Sequence, residues 1–400
     1  MTHHLAPAML YRLSLVLLAV ALIGCTPEST DSQESEADFV DLISDDMSGW
    51  INPYDWGTYS VDDGVVSLVG DTKWFLVTEE TYGDFVFEAD VMVPDSGNSG
   101  FMFRAHYEPN RVWGYQAEVD PSDRQWSGGL YDEARRGWIN PLDGEEEAEA
   151  RSAFNNGEWN HYRIEADGSH LQIWVNGVRT TDYYDTMDIE GHLALQHHGE
   201  DGLVYRFRNV RVRDLGRHAW RPIFNGRDFD GWRTTPGGEW TVEDGILVGT
   251  QEPSDERHGL LLTEVAYDDF SARLDFQARE GNSGFYFRAE EVEDDVHVHG
   301  FQAEIEPDGE TGGLYETGGR GWVVEPETDQ VEEWLNDPGE WNELSVVAQG
   351  PRILVHVNGH ESADIVDEES RRSGPLGLQL HGGMTMDVRF KDIEVLKKVE

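Results

Sequence analysis

The sequence predicts an all-β protein made of two tandem β-sandwich domains of the jelly-roll kind. One observation is an internal repeat, because the run Gly-Asn-Ser-Gly-Phe-x-Phe-Arg-Ala occupies residues 97–105 and returns at 281–289. A second is the pattern inside each copy, where short runs of alternating apolar and polar residues are separated by turn residues. No amphipathic run of helix length interrupts this pattern. Many short strands in about 180 residues favour a two-sheet sandwich over a propeller or a helical solenoid.

The repeat also places the domain boundaries. A chain of 400 residues is too long for one ordinary core. Residues 44–50 align with 226–232, since both runs end in Gly-Trp. We therefore predict a first domain at 38–214, a short joint at 215–220 and a second domain at 221–400.

Individual strands can be assigned within each copy. The alternating run 85–91 predicts one strand, and 270–276 is its counterpart. Asn-Gly pairs begin at Asn176 and Asn358, each between two alternating runs. Because this dipeptide favours positive φ at both positions, each pair predicts a hairpin with a type I′ turn.

The N-terminal segment predicts export. Residues 1–25 are expected to be a lipoprotein signal peptide, because Arg12 precedes an apolar run at 13–23 that is shorter than the ~20 residues needed to span a bilayer. The run Leu-Ile-Gly-Cys ending at Cys25 resembles a bacterial lipobox, whose cysteine is acylated. Residues 26–37 would form an acidic tether to a membrane, either on the periplasmic side of the outer membrane or at the cell surface. A plain signal anchor with an incidental cysteine is the alternative.

Composition excludes several classes of function. The chain holds 79 acidic and 30 basic residues, a net charge of -49, so it repels nucleic acid and anionic lipid. Its only cysteine is Cys25, so the folded part has no disulfide, thiol nucleophile or zinc site built from several thiolates. No Gly-rich phosphate loop, nucleophile elbow or zinc motif is present. Nucleotide chemistry is thereby excluded, and no nucleic-acid partner is expected.

A polar strand face is predicted in each copy. After the Gly-Asn-Ser-Gly turn, alternation directs the phenylalanines inwards and the arginine outwards, and the next strand adds an amide and a carboxylate. The predicted face carries Arg104, Gln116 and Glu118 in the first copy, and Arg288, Gln302 and Glu304 in the second.

A histidine is expected on the same face. The segment Leu-Gln-x-His-Gly places Gln196 beside His198 in the first copy and Gln379 beside His381 in the second. A histidine at this position could act as a base near neutral pH. The alternative is a structural histidine bonded to a neighbouring carboxylate.

Paired carboxylates allow a second interpretation. Glu118 and Asp120 lie two residues apart, as do Glu304 and Glu306, which places their Cα atoms ~7 Å apart on a strand. Such pairs suit glycoside hydrolysis by an acid with a base or nucleophile. A proline follows each pair and favours a loop position for the second acid. The structural alternative is an ion pair between the glutamate and the arginine of the same copy.

Aromatic and polar loop residues complete the predicted site. Arg136 with Trp138, and Arg320 with Trp322, follow the Gly-Gly-Leu-Tyr turn of each copy. A tryptophan beside an arginine can stack on a sugar ring while the arginine bonds its hydroxyls, although loop tryptophans also cover core edges. The other candidate substrate-binding residues are Asn98, Gln116, Tyr131, Gln196, Asn282, Gln302, Tyr315 and Gln379.

Four motifs, in the same order in both copies, give the chain a resemblance. The Gly-Asn-Ser-Gly-Phe-x-Phe-Arg strand, the Gly-Gly-Leu-Tyr turn, a Gly-Glu-Trp-Asn entry and the Leu-Gln-x-His-Gly segment resemble the 3-keto-disaccharide hydrolase family, formerly a domain of unknown function. The resemblance covers both domains and implies a concanavalin-like jelly roll. One departure is that the common Glu-x-Gln of the family is here Gln-Ala-Glu, so the carboxylate and the amide exchange places.

The resemblance also implies an activity. Members would cleave glycosides already oxidised to a ketone at C3, by removal of the C2 proton, β-elimination of the C1 substituent and hydration. It implies three roles. His198 and His381 would be bases, Arg104 and Arg288 would stabilise the enolate, and Glu118 and Glu304 would protonate the leaving group or orient the histidine.

No cofactor is required by this reaction, although a divalent metal such as calcium could polarise the ketone. Two alternatives remain open from the sequence. One is a non-catalytic carbohydrate-binding lipoprotein, and the other is a conventional glycosidase that uses Glu118 with Asp120.

Overall fold

The computed structural model describes residues 38–293, 296–306, 309–337 and 339–400. The predicted signal peptide, Cys25 and the tether therefore lie outside the described residues. Residues 39–400 form one compact unit. Its elements are almost all strands, as the sequence predicts, and the helices found are α1 (Ala148–Arg151) and α2 (Thr328–Trp334). Within the described part of the chain, neither helix has the length or apolar character that crossing a bilayer requires.

The first domain is a sandwich of two antiparallel sheets. Its strands are β1 (Val40–Asp41), β2 (Trp50–Ile51), β3 (Thr58–Asp62), β4 (Val65–Val69), β5 (Trp74–Tyr82), β6 (Asp84–Met92), β7 (Ser99–Glu108), β8 (Arg111–Val119), β9 (Leu130–Glu133), β10 (Gly137–Asn140), β11 (Asn160–Asp167), β12 (His170–Val175), β13 (Val178–Tyr184), β14 (Gly191–His197) and β15 (Val204–Gly216). One sheet has the order β13-β12-β11-β6-β15-β4-β3, with β1 paired to β15. The other has the order β10-β9-β8-β7-β14-β5-β2.

The second domain repeats this plan. Its strands are β16 (His218–Pro222), β17 (Trp232–Thr234), β18 (Glu239–Glu243), β19 (Ile246–Gln251), β20 (Gly259–Tyr267), β21 (Phe270–Glu280), β22 (Ser283–Glu291), β23 (Val298–Ile305), β24 (Leu314–Thr317), β25 (Gly321–Val324), β26 (Asn342–Gln349), β27 (Arg352–Val357), β28 (His360–Val366), β29 (Gly374–Leu380) and β30 (Met386–Lys398). Its sheets have the orders β18-β19-β30-β21-β26-β27-β28, with β16 paired to β30, and β17-β20-β29-β22-β23-β24-β25. The predicted pair of jelly-roll sandwiches is confirmed.

The repeated motifs lie on adjacent strands of one sheet per domain. In the first domain β7 pairs with both β8 and β14, and β8 pairs with β9. The apolar residues of these strands fill the space between the two sheets, where Phe101 packs edge-on against Phe87 and Phe207. The opposite surface of this sheet carries Gln116 and Glu118, and we call it the site face in both domains.

Local turn chemistry agrees with the sequence. Asn176 and Gly177 have φ values of 50° and 84°, and Asn358 and Gly359 have values of 49° and 80°. Positive φ at both positions is the requirement of a type I′ turn, so the predicted hairpins are confirmed.

The connection between the domains is short and paired. The segment 215–220, expected to be a joint, contains the end of β15 and the start of β16, whose His218 pairs with Lys398. Side chains also link the domains directly, since the hydroxyl groups of Ser169 and Ser271 lie 2.8 Å apart. Tyr183 donates a hydrogen bond of 2.6 Å to Glu361.

Candidate functional site

Arg104 does not lie on the site face, and that prediction is wrong. Its φ is 44°, and the pairing of β7 with β8 shifts register between Phe103 and His106. This left-handed residue breaks the alternation and sends the side chain to the end of the core, where it is 0% exposed. Its guanidinium donates to the carbonyls of Gly83 (2.9 Å), Gly168 (2.7 Å) and Asp188 (3.1 Å). Arg104 therefore closes the sandwich and does not face a substrate.

Arg288 repeats this geometry in the second domain, so the prediction is wrong there also. Its φ is 48° and its side chain is fully buried. Its Nη2 atom lies 3.4 Å from Asp269 Oδ1, whereas Nε and Nη1 have no hydrogen-bond partner. Neither arginine is placed to stabilise an enolate on the site face.

Glu304 is the central acid of the second-domain site face. It lies on β23 and is 4% exposed. Gln302 Nε2 donates to Oε1 at 2.6 Å, and Asn282 Nδ2 donates to Oε2 at 3.4 Å. Burial raises the pKa of Glu304 to about 8, and the nearby carboxylates of Glu310 and Glu306 act in the same direction. The carboxyl group is thus mainly protonated at neutral pH.

A cavity of about 340 Å³ lies over this acid. Its walls contain predicted residues together with residues that the sequence analysis missed. The lining residues are His258, Asn282, Tyr286, Val296, Gln302, Glu304, Glu310, Tyr315, Thr317, Trp322, Gln379 and His381. The structure therefore brings the predicted glutamate, histidine, amides and aromatic residues of the second copy together in one place.

Two histidines form part of one wall. The rings of His258 and His381 have centroids 4.4 Å apart. His381 Nδ1 lies 2.8 Å from the carbonyl oxygen of Gly382, which can only accept a hydrogen bond. Nδ1 of His381 therefore carries a proton, and Nε2 of the neutral ring is left as a base.

An amide and two hydroxyl groups continue this wall. Gln379 Nε2 lies 3.0 Å from His258 Nδ1 and donates to the Tyr286 hydroxyl at 3.2 Å. The Tyr286 hydroxyl lies 2.7 Å from Thr317 Oγ1. On another wall, Tyr315 and Trp322 pack edge to face with centroids 5.3 Å apart. The cavity thus combines polar groups with an aromatic surface, as sugar sites do.

Glu118 occupies the equivalent position in the first domain. Asn98 donates to its Oε1 at 2.6 Å and Gln116 donates to its Oε2 at 2.9 Å. Gln196 in turn donates to Gln116 Oε1 at 2.9 Å. Burial raises the pKa of Glu118, and Arg124 opposes this rise. The predicted amides and acid of the first copy therefore form one hydrogen-bonded chain.

The histidine of the first copy differs from that of the second. His198 is exposed, and its Nδ1 lies 2.8 Å from Glu200 Oε1. This contact with a neighbouring carboxylate is the structural alternative that the sequence left open. Gly383 occupies the position of Glu200 in the second copy, so His381 has no equivalent partner there.

Other positions around the first site also differ. Lys73 occupies the position of His258, and Glu133 that of Thr317, as the strand registers show. Lys73 Nζ and Glu133 Oε1 form an ion pair at 2.5 Å. Sequence reasoning missed His258 because it searched for residues shared by both copies.

Arg136 and Arg320, which the sequence predicts to contact a sugar, both lie in ion pairs. Arg136 is largely buried and bonds Asp132 (2.6 Å), Asp185 (2.7 Å) and the carbonyl of Gly359 (2.8 Å) in the other domain. Arg320 bonds Glu316 and, at 2.6 Å, Asp367. The neighbouring Trp138 does lie at the site, 5.1 Å from the Tyr131 ring centroid.

One group of described residues has the composition of a metal site. Potential ligand atoms of Asp84, Asp167 and His218 lie within 4.8 Å of one another, beside a cleft between the domains. However, Asp84 already bonds His218 Nδ1 at 2.8 Å and lies 3.5 Å from Arg104, while Lys398 lies 3.7 Å from Asp167. Arg104 and Lys398 already supply positive charge next to these carboxylates, so the group does not fit a divalent ion. Its residues do not line the cavity over Glu304.

Comparison with known proteins now identifies the family. A family model described as the 3-keto-alpha-glucoside-1,2-lyase-like domain matches residues 38–213 and again 219–396. The chain belongs to this family. It contains two lyase-like domains in tandem, and each match spans one of the sandwiches described above.

Individual relatives have low sequence identity to this tandem lyase-like protein, between 15% and 24%. A levanase from Bacillus sp. (strain L7) is 24% identical over 364 residues, or 88% of this chain and 35% of the levanase, so this chain spans about a third of that relative. Among solved structures, carbohydrate-binding module CBM66 from Bacillus subtilis is 19% identical with a TM-score of 0.33, over 42% of this chain and 96% of the module. A Bacillus subtilis protein with a galectin-like fold is 15% identical with a TM-score of 0.36, over 46% of this chain and 96% of its own.

Proposed function

We propose that this protein cleaves glycosides that carry a ketone at C3, and that it does so outside the cytoplasm. Membership of the lyase-like family supports a carbohydrate-active enzyme. The observation that carries the specific proposal is the second-domain cavity, where a carboxyl group with a raised pKa and two histidines face one space beside an aromatic wall. Elimination next to a ketone needs one base and one acid, and no strong nucleophile.

The reaction begins with proton transfer at C2 of the sugar. The ketone at C3 acidifies this hydrogen, and Nε2 of His381 accepts it as the base. The C2–H electron pair then forms an enolate with the C3 carbonyl. Hydrogen-bond donors of the same wall, the Tyr286 hydroxyl among them, would stabilise the enolate oxygen in place of the arginine that the sequence suggested.

The leaving group departs in the second step. The enolate electrons form a C1–C2 double bond while the C1–O bond breaks, and the proton of Glu304 passes to the departing oxygen. Water then adds its hydroxyl group to C1 and a proton to C2, which gives the free 3-keto sugar. Because Glu304 must be protonated, activity should fall as the pH rises through about 8.

Export is the other part of the proposal. The segment ending at Cys25 would attach the protein by lipid to a membrane, on the periplasmic side of the outer membrane or at the cell surface. A carbohydrate is then the expected partner of the folded part.

A substrate comparison tests the activity. Methyl 3-keto-α-glucoside and methyl α-glucoside are each incubated with the full chain, and the release of methanol is measured. We expect turnover of the keto sugar alone. Turnover of the parent glucoside would indicate a conventional glycosidase instead, and binding without turnover of either would indicate a binding lipoprotein.

Variants of the cavity test the assigned roles. Glu304→Gln and His381→Gln should each lower kcat by about 10²- to 10³-fold, the usual contribution of a general acid or base. Glu333→Gln, an exposed helix position, is the matched control and should leave kcat unchanged. Unchanged turnover in both cavity variants would refute the assignment.

A further inference from the structure

The loop that follows the Gln-Ala-Glu strand differs between the copies. Ten residues, 120–129, connect β8 to β9 in the first domain, whereas eight, 306–313, connect β23 to β24 in the second. Ser127 and Thr311 are equivalent, since each accepts a bond from the backbone N–H of the second acid, at 2.8 and 2.9 Å. The two extra residues therefore lie before Ser127, in the part of the loop that contains Arg124.

Arg124 covers the aromatic surface of the first site face. Its guanidinium carbon lies 4.7 Å from the Trp126 ring centroid and 4.9 Å from the Trp138 ring centroid. These are the distances of a stacked cation. Trp138 is the counterpart of Trp322, which lines the second-domain cavity. On the face of Trp138 that Arg124 covers, a sugar could stack only by displacing this guanidinium.

The same arginine also engages the acids of the first site. Its Nε donates to Asp120 Oδ2 at 2.8 Å, and its Nη2 lies 3.6 Å from Glu118 Oε1. Both oxygens of Glu118 already accept hydrogen bonds from Asn98 and Gln116. In the second copy the position of Trp126 is taken by Glu310, whose charge raises the pKa of Glu304. Glu118 thus has a carboxylate, Asp120, and an arginine, Arg124, beside it, whereas the charged neighbours that act on Glu304 are the carboxylates Glu310 and Glu306.

We propose that Arg124 determines which copy takes the sugar. Arg124 covers Trp126 and Trp138 and lies beside Glu118, and it thereby keeps the first site face closed to the sugar. Turnover then takes place in the second domain. Lys73 and Glu133 form an ion pair at the positions that His258 and Thr317 occupy in the second domain. This difference acts in the same direction, because the first site then lacks one of the two histidines. This inference rests on the proposed function for the identity of the substrate.

Matched variants of the full chain separate the two copies. Glu118→Gln and Glu304→Gln make the same change at equivalent acids, and turnover of methyl 3-keto-α-glucoside is measured for both. We expect Glu304→Gln to lose at least about 100-fold and Glu118→Gln to stay within about twofold, since a closed site contributes no turnover. An equal or larger loss in Glu118→Gln would overturn the inference.

Binding stoichiometry tests the role of Arg124 itself. Calorimetric titration of Glu304→Gln with the same keto sugar should give one site per chain, and the double variant with Arg124→Ala should give two. Arg111→Ala is the control, because Arg111 also stacks on a tryptophan, 4.8 Å from the Trp113 ring centroid, outside the site. Two sites with Arg124 present, or one site after its removal, would contradict the inference. Failure of the proposed function would look different, as the unaltered chain would then not turn the keto sugar over.

Discussion

The two domains place the same acid on the same strand and surround it with different neighbours. Glu118 and Glu304 are both buried and both accept a bond from the glutamine two residues before them, at 2.9 and 2.6 Å. Arg124 approaches the first acid, whereas Glu310 and Glu306 lie near the second and act with burial to raise its pKa. A duplicated scaffold therefore keeps its acid, whose pKa burial raises in both copies, and changes the charged groups around it through a loop of a few residues.

A second comparison concerns the arginine of the repeated motif. Arg104 and Arg288 share a left-handed backbone and complete burial. Arg104 has three carbonyl partners, whereas two nitrogens of Arg288 have none. The motif therefore encodes a buried arginine that closes the end of each sandwich. The hydrogen-bonding groups of this arginine have more partners in the first domain.

The largest expected effect tests this difference in hydrogen bonding between Arg104 and Arg288. Arg104→Leu leaves three buried carbonyls without this donor and removes the 3.5 Å ion pair with Asp84, which should lower the free energy of unfolding by about 4 kcal/mol. Arg288→Leu removes only the 3.4 Å contact with Asp269 and should cost about 1 kcal/mol or less. Urea unfolding of both variants measures the two costs. Equal costs would show that the bonds to the carbonyls do not stabilise the first domain.

The next effect concerns Arg136 and Arg320, which are equivalent in sequence but not in burial. Arg136 crosses to Gly359 of the second domain and is 12% exposed, whereas the side chain of Arg320 is 51% exposed. Arg136→Ala removes the ion pairs with Asp132, which keeps Arg135, and with Asp185, which keeps only neutral donors, and should lower the free energy of unfolding by about 3 kcal/mol. Arg320→Ala should change it by about 0.5 kcal/mol. Thermal unfolding measures the pair, and a larger loss for Arg320 would contradict the assignment.

A smaller effect is expected on pH dependence. Glu310→Gln removes a charge that raises the pKa of Glu304, so Glu304 should release its proton at lower pH. The alkaline limb of kcat/KM should then move from about pH 8 towards neutrality by about one pH unit, equivalent to ~1.4 kcal/mol. Glu333→Gln is again the control and should leave the limb in place. A limb that does not move, or moves upwards, would show that Glu304 is not the titrating acid.

Much of the fold follows from the sequence, and part of the site does not. The repeat, the alternation and the Asn-Gly turns predict the paired sandwiches and bring Gln302, Glu304 and Gln379 to one face. Alternation fails at Arg104, because a single left-handed residue inside a strand leaves no signal in the pattern of apolar residues. The sequence analysis did not predict His258, because the equivalent residue of the first copy is Lys73. The role of Arg124 depends on where an inserted loop folds back, which sequence spacing does not specify.

The most direct test is a crystal structure of the Glu304→Gln variant soaked with methyl 3-keto-α-glucoside. The account predicts one sugar per chain, seated in the second-domain cavity against Trp322, with C2 facing His381 and the C1 oxygen facing residue 304. A sugar bound on the first site face over Trp138, or in the cleft between the domains, with the cavity over residue 304 empty, would contradict it.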